Sequence, residues 1–368
     1  MKILESDEGE KALSRIGFSI RRGRKHGLYT QLNIDIVKVY VSDYLKKQGV
    51  ILMDLDKALQ RFKWVKKYYW KLIDPNTDEY TRLAYKNVHG AFLYVPKNTR
   101  LKIPVQSCFM VTQESLKQAV HNIIIVDDNS ELVLNTACAA IAGESLHVGV
   151  TEMFVGKNSK LTYAMVHGWN QEFDTRPKTV VKVDKNGTFI SNYINLKPVK
   201  SLKTNPIITL YEGAQAYLSS IILGLERSFL DVGTTAILRG ESSKVEIISR
   251  AISKDNSKLI LRGEILAQSP DVKGHLECRG LQLSDASIIE TIPALRSENS
   301  NVKLTHEAAV GRISEHELAY LMSRGFTEDE AVSLIVRGFV ETGLEYLPRS
   351  LQRQLSVILD LIAKKAST

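Results

Sequence analysis

The chain has 368 residues, 44% hydrophobic and 24% charged, the balance of a soluble globular protein long enough for two or three domains. Its longest apolar runs, such as Ile123-Ile124-Ile125-Val126, fall far short of the roughly 20 residues that cross a bilayer, so no membrane partner is expected. The net charge of +8 draws on Arg21-Arg22-Gly23-Arg24-Lys25 and on six Lys/Arg between Lys57 and Lys71, but no aromatic-basic motif of a nucleic-acid reader accompanies them.

Residues 1–32 are polar, basic and without clear period, and read as a partly ordered arm. Met1–Glu8 has no apolar h-region, and the three cysteines, Cys108, Cys138 and Cys278, are far apart and odd in number. Both features point to a reducing, cytoplasmic setting without a disulfide framework. Residues 33–87 form an N-terminal helical segment. Ile34–Leu45 is ambiguous between helix and strand, because Ile34, Ile36, Val37, Val39 and Val41 are β-branched. The pattern predicts a helix over 55–72 capped by Asp54, with Leu55, Leu59, Phe62, Val65, Tyr69 and Leu72 on one face and lysines on the other. Asp74-Pro75-Asn76-Thr77-Asp78 is a turn-rich break.

From about residue 88 to 311 the chain is a series of short β-branched segments broken by Asn, Ser, Gly or Asp. Strands begin after Asn129-Ser130, Asn158-Ser159, Asn186-Gly187, Gly213-Ala214 and Ser242-Ser243, about 28 residues apart; Asn256-Ser257 and the segment carrying Cys278 follow at half that step. A fixed period in an all-strand region indicates a stacked solenoid, and a right-handed parallel β-helix fits best; a β-sandwich needs no such period. Residues 312–368 form a helical C-terminal domain. Ser314-x-x-Glu317 and Thr327-x-x-Glu330 are capping boxes, Gly325 follows the first helix, and Pro348 opens a third running to about Ala366.

The residues suited to chemistry converge near this junction. Cys278 precedes His306-Glu307 by 28 positions. A thiolate is the soft ligand that iron–sulfur clusters demand and a group that carries sulfur; His and Glu are harder ligands and move protons. Read from composition alone, Cys278, Cys138 and Cys108 are equally suited to filling a core. There is no GxxxxGK[ST] loop, no HExxH and no CxxC pair, and three cysteines cannot make a Cys₄ site.

His306–Gly311, Ser314–Gly325 and Glu328–Phe339 together resemble the C-terminal signature of the SufB/SufD family of iron–sulfur cluster assembly scaffolds, closest to its short archaeal-type members. The resemblance extends through Gly274–Gly280, Asn192–Pro198, Val120–Ile125 and Trp64–Trp70. It implies a non-enzymatic scaffold with a parallel β-helix flanked by helical segments. It also implies that Cys278, His306 and Glu307 act as ligands or sulfur acceptor for a transient iron–sulfur cluster of unspecified type. A sulfur path through His167, Trp169, Lys182 and Cys138 is implied too, although Met110 and Thr112 stand where SufB carries an Arg and an Asn. A SufC-type ABC ATPase would dock on the C-terminal helices through Ser314, Leu318, Tyr320, Leu321, Arg324, Gly325, Glu330, Ile335, Arg337 and Phe339. The same resemblance implies a homodimer, or a heterodimer with a paralogue, through the β-helix. Two alternatives stay open: a SufD-like structural partner without its own cluster ligands, and a carbohydrate-binding β-helix protein, which would leave the tail signature unexplained.

Overall fold

A computed structural model describes residues 27–341, apart from 142 and 196. The chain winds as a β-solenoid whose coils place strands in two facing sheets; in three coils the second wall is broken into two short strands, such as Ser201–Thr204 and Ile207–Leu210. The first sheet has ten strands. Its outermost pair, Asp35–Val41 and Gly27–Leu32, is antiparallel. Then follow, all parallel, Val105–Val111, Glu131–Ala140, Lys160–Gly168, Thr188–Asn195, Gln215–Gly224, Lys244–Ser253, Val272–Gln282 and Val302–Gly311. The second sheet runs from Ile51–Asp54 and Ala91–Val95 through Lys117–Val126 and Ser145–Val155 to Lys258–Ala267, which pairs with Ile288–Ser297. The half-period steps in the sequence are thus the alternation between the two walls.

The period persists because the corners repeat. Asn98, Asn129, Asn158 and Asn186 all sit at positive φ, between 55° and 59°. Asn tolerates this region because its short amide bonds locally. Here each amide donates to the preceding one, Asn129 to Asn98 and Asn158 to Asn129 at 3.1 Å, and Asn186 to Asn158 at 3.3 Å. Gly213 (φ 64°) ends the ladder, because a Cβ there would collide with the Asn186 side-chain oxygen.

Inward side chains of both sheets fill one continuous core from Tyr29 and Leu45 to Leu276 and Cys278. The strand Gly27–Leu32, assigned by sequence to the arm, is part of that wall, with Leu28 and Tyr29 fully buried. The ambiguous segment resolves into the strand Asp35–Val41 and a short helix α1, Asp43–Lys47.

The long helix expected over 55–72 does not form. Helix α2 spans Leu55–Arg61, a 3₁₀ turn covers Lys63–Lys67, and Trp70 takes φ 50°. Asp54 makes no side-chain cap; its carboxylate takes the Gly90 amide at 3.3 Å instead. Tertiary structure wins because the buried pair His121 and Glu152 (Nε2 to Oε2, 2.8 Å) recruits the chain after Tyr69. The Glu152 carboxylate accepts the amides of Leu72 and Ile73, and Trp70 packs its ring 4.3 Å from the imidazole. Those amides are then unavailable to a helix. Helix α3, Glu79–Lys86, follows on a full capping box made by Asp78 and Thr81, which sequence reading took only as a turn.

Helices α4, Glu315–Ser323, and α5, Glu328–Glu341, follow the last coil. Thr327 and Glu330 cap α5 reciprocally, whereas Ser314 occupies the N-cap of α4 without a side-chain bond. Gly325, at φ 96°, closes α4 as expected. The helix expected from Pro348 lies outside the described residues.

Candidate functional site

Cys278 lies in the strand Val272–Gln282, where Leu276, Cys278 and Gly280 point into the solenoid and His275, Glu277 and Arg279 point out. Its thiol is fully buried. Burial pushes the thiol up to about 11, against hydrogen bonding by Ser249 and the nearby positive charge of Arg250, which both pull it down.

The neighbouring strand, Val302–Gly311, is the last of its sheet, so one edge of its backbone is unpaired among the described residues. The register sets Leu276 beside His306, Glu277 beside Glu307 and Cys278 beside Ala308. His306 therefore shares the inward face with Cys278, one strand over and two residues back, with Cα atoms roughly 8 Å apart from strand spacing and rise. Glu307 faces outward. Both His306 and Glu307 are exposed, with no further coil over them among the described residues. On the outer face Glu307 meets Arg279 at 3.5 Å, and Arg279 and the buried Arg250 both hold Glu277, at 2.9 and 2.5 Å.

The donor set of one chain is incomplete. Among the described residues no three His, Cys, Asp or Glu side chains converge to hold a metal ion. At this junction the described residues offer one thiol and one imidazole on the inner face, short of the four thiolates that commonly hold a cluster.

Behind Cys278 an inward row runs back through the coils. In register lie Cys278, Ser249, Ser220, Tyr193, Met165 and Thr136. Ser220 donates to Ser249 at 2.9 Å, the Tyr193 hydroxyl meets His167 Nδ1 at 2.8 Å, and Met165 Sδ lies 3.8 Å from Cys138 Sγ. Met165, Tyr193, Ser220 and Ser249 line a cavity of about 50 Å³, room for a few atoms of water or sulfur size. His167 packs 5.3 Å from Trp169, which stacks on Phe173 at 4.4 Å.

The structure thus brings Cys138, His167 and Trp169 together inside the solenoid. Lys182 does not join them. It alternates with the core residues Val181 and Val183, so its ammonium stands on the outer face, 2.9 Å from Asp184 and over the Tyr211 ring. Sequence reading missed Ser220, Ser249, Tyr193 and His147, which accepts no charge in its buried site between Gln118 and Trp169. The only signal for the serines was their recurrence at the coil period. Met110 is buried on the outer face of the sheet, and Thr112 ties to Asn33 at 2.8 and 3.1 Å, closing the first coil.

On the C-terminal helices, Ser314, Tyr320, Arg324, Gly325 and Glu330 are exposed and Leu318, Leu321, Ile335 and Arg337 are half-buried. Phe339 instead turns to the sheet, packing with Val336 and Val340 against Ile221, Leu223, Ile252 and Leu281. Met322, Phe326 and Leu334 add exposed apolar surface that the sequence did not single out.

Residues 109–339 match the family model described as SUF system FeS cluster assembly, SufBD core domain. A protein of Archaeoglobus fulgidus described as an iron-sulfur cluster assembly SufBD family protein is 41% identical, across 96% of this chain and 94% of its own length. One from Pyrococcus horikoshii with that family description is 34% identical over 96% of this chain and 80% of its own, and one from Staphylococcus epidermidis 31% identical over 88% and 70%. The chain therefore belongs to the SufBD family of iron–sulfur cluster assembly proteins.

Proposed function

We propose that this chain is a scaffold on which a nascent iron–sulfur cluster, its cargo, is built at a junction between two subunits. The observation that carries the reading is the open last strand. It presents His306 and Glu307 beside the strand of Cys278, at an edge where a second chain can add strand pairing and ligands. The described residues of one chain supply too few donors, and a second copy or a paralogue would supply the rest. Cys278 would give the sulfur ligand or acceptor, and His306 and Glu307 the harder ligands.

The inward row supports a route for sulfur between Cys138 and Cys278. It lines the cavity with hydroxyls and a thioether, groups that solvate a polarisable sulfur atom without fixing it. His167 stays neutral there, its pKa lowered to about 3 by burial, so it offers a hydrogen bond and not a fixed charge. The exposed apolar side chains Tyr320, Met322, Phe326 and Leu334 give α4 and α5 a surface for a SufC-type ATPase, which would supply the energy of assembly.

Anaerobic reconstitution with ferrous iron and sulfide, comparing wild type with Cys278→Ala, tests the reading. Loss of cluster absorbance and acid-labile sulfide in the variant is expected; equal cluster content in both would remove Cys278 from the ligand set. A SufD-like role is favoured by the depth of Cys278, and would show as cluster formation only when a paralogue is added.

A further inference from the structure

The outer face behind Cys278 carries a graded chain of charges. Arg250 and Arg279 are in-register neighbours on adjacent strands, a like-charged pair that costs stability unless a carboxylate sits between them. Glu277 does so, its Oε1 forming ion pairs with Arg250 Nη2 at 2.5 Å and with Arg279 Nε at 2.9 Å. Arg279 then extends Nη2 to within 3.5 Å of the Glu307 carboxylate. Side-chain exposure climbs along the chain, from 5% at Arg250 and 13% at Glu277 to 48% at Arg279 and 62% at Glu307.

The buried end lies under α5. The Arg250 guanidinium sits 5.8 Å from the centre of the Phe339 ring. An apolar stripe that includes Val336, Phe339 and Val340 seats helix α5 on the sheet, and α4 has no buried residue. A buried arginine must keep its carboxylate, so Arg250 and Glu277 stay paired while α5 covers them. Glu277 is then shared between two cations, and Arg279, held on it through Nε, divides its guanidinium between Glu277 and Glu307.

We infer that α5 gates Glu307 through Arg250: while the helix is seated, Arg279 occupies the Glu307 carboxylate, and when it lifts, Arg250 is released to solvent, Arg279 closes on Glu277, and Glu307 becomes available to metal. The inference rests on the reading of Glu307 as a ligand. It gives the C-terminal helices a physical connection to the cluster edge, since whatever displaces α5 changes how Glu277 is divided between the two arginines. No bond is made or broken in this step; one ion pair is exchanged for another.

The test is anaerobic reconstitution of the full chain over a range of ferrous iron concentrations, with sulfide held constant. Arg250→Met leaves Glu277 wholly to Arg279, and Phe339→Leu uncovers Arg250 with less disturbance of packing. Either should lower the half-saturating iron concentration by roughly two- to five-fold, the range that freeing a partly exposed ion pair allows. Arg279→Gln, which removes the competitor directly, should do the same. In a Glu307→Gln background none of the three should have an effect. A merely structural role cannot produce this sign, since damage to the fold weakens loading. Unchanged or weaker loading in folded Arg250→Met and Phe339→Leu overturns the gate and leaves the ligand reading standing. Wild-type loading by Glu307→Gln overturns the ligand reading, and the gate with it.

Discussion

Cys278 and Glu307 lie on adjacent parallel strands yet face opposite sides of the sheet, because Cys278 stands beside Ala308 and Glu277 beside Glu307. One metal centre within a single chain cannot take both without moving the last strand. A second subunit that completes the proposed site would meet the strand Val302–Gly311 at the edge left unpaired among the described residues. Val310→Lys places a charge on that exposed strand, a substitution that discourages edge pairing. The variant should remain folded but run as a smaller species on size exclusion than wild type, and its cluster content after reconstitution should fall with the loss of the larger species.

Ser249 sets the reactivity of the Cys278 thiol. Its hydrogen bond and the charge of Arg250 oppose the burial that leaves the thiol at about 11. Ser249→Ala should raise it further, so less thiolate is present at any given pH. Alkylation of Cys278 by iodoacetamide, followed by mass spectrometry between pH 7 and 10, should be slower in the variant by several-fold at each pH. Equal or faster alkylation would mean that access, not ionisation, limits the reaction.

His147 and His167 are buried and neutral, each lowered to about 3 by burial. The unfolded chain takes up these protons near pH 6.5, so stability that is fully present above that value is lost as pH falls towards 3. In that window each histidine contributes a slope of about 1.4 kcal/mol per pH unit. Urea unfolding at pH 7, 6, 5 and 4 should show a steep fall, and His167→Gln should remove close to one proton from the slope. A pH-independent unfolding free energy over this range would contradict the burial of both imidazoles.

Glu152 and His121 are a buried hydrogen-bonded pair whose carboxylate also accepts two backbone amides. Removing one partner leaves the other polar group buried and unsatisfied, which costs about 1–3 kcal/mol. Glu152→Ala should therefore free the 68–75 segment before the solenoid unfolds. Limited proteolysis should cut the variant near Trp70–Ile73 under conditions where the wild type resists, and the Trp70 fluorescence should shift to the red. Resistance equal to wild type would show that the aromatic packing alone holds the segment.

Much of the fold was legible. The period of about 28 residues, with Asn, Ser and Gly at the corners, determined a stacked solenoid, since each corner needs positive φ or a local side-chain bond. Alternation along Val272–Gln282 determined that Cys278 and Glu277 point opposite ways, and the Thr327–Glu330 pair determined the start of α5. What the sequence could not determine is which residues become neighbours across coils. Coils vary in length, from 27 residues between Tyr193 and Ser220 to 31 between Phe92 and Ile123, with 30 between Cys278 and Ala308. A single residue of difference turns a side chain to the other face. A coil of 28 would have set Cys278 beside His306, and one of 29 beside Glu307; the last coil is 30, and tertiary structure alone divides the three residues between two faces. The same holds for Lys182, placed outside by its strand's register, and for the broken helix after Arg61, where a buried carboxylate two strands away takes the amides that local propensity would have kept.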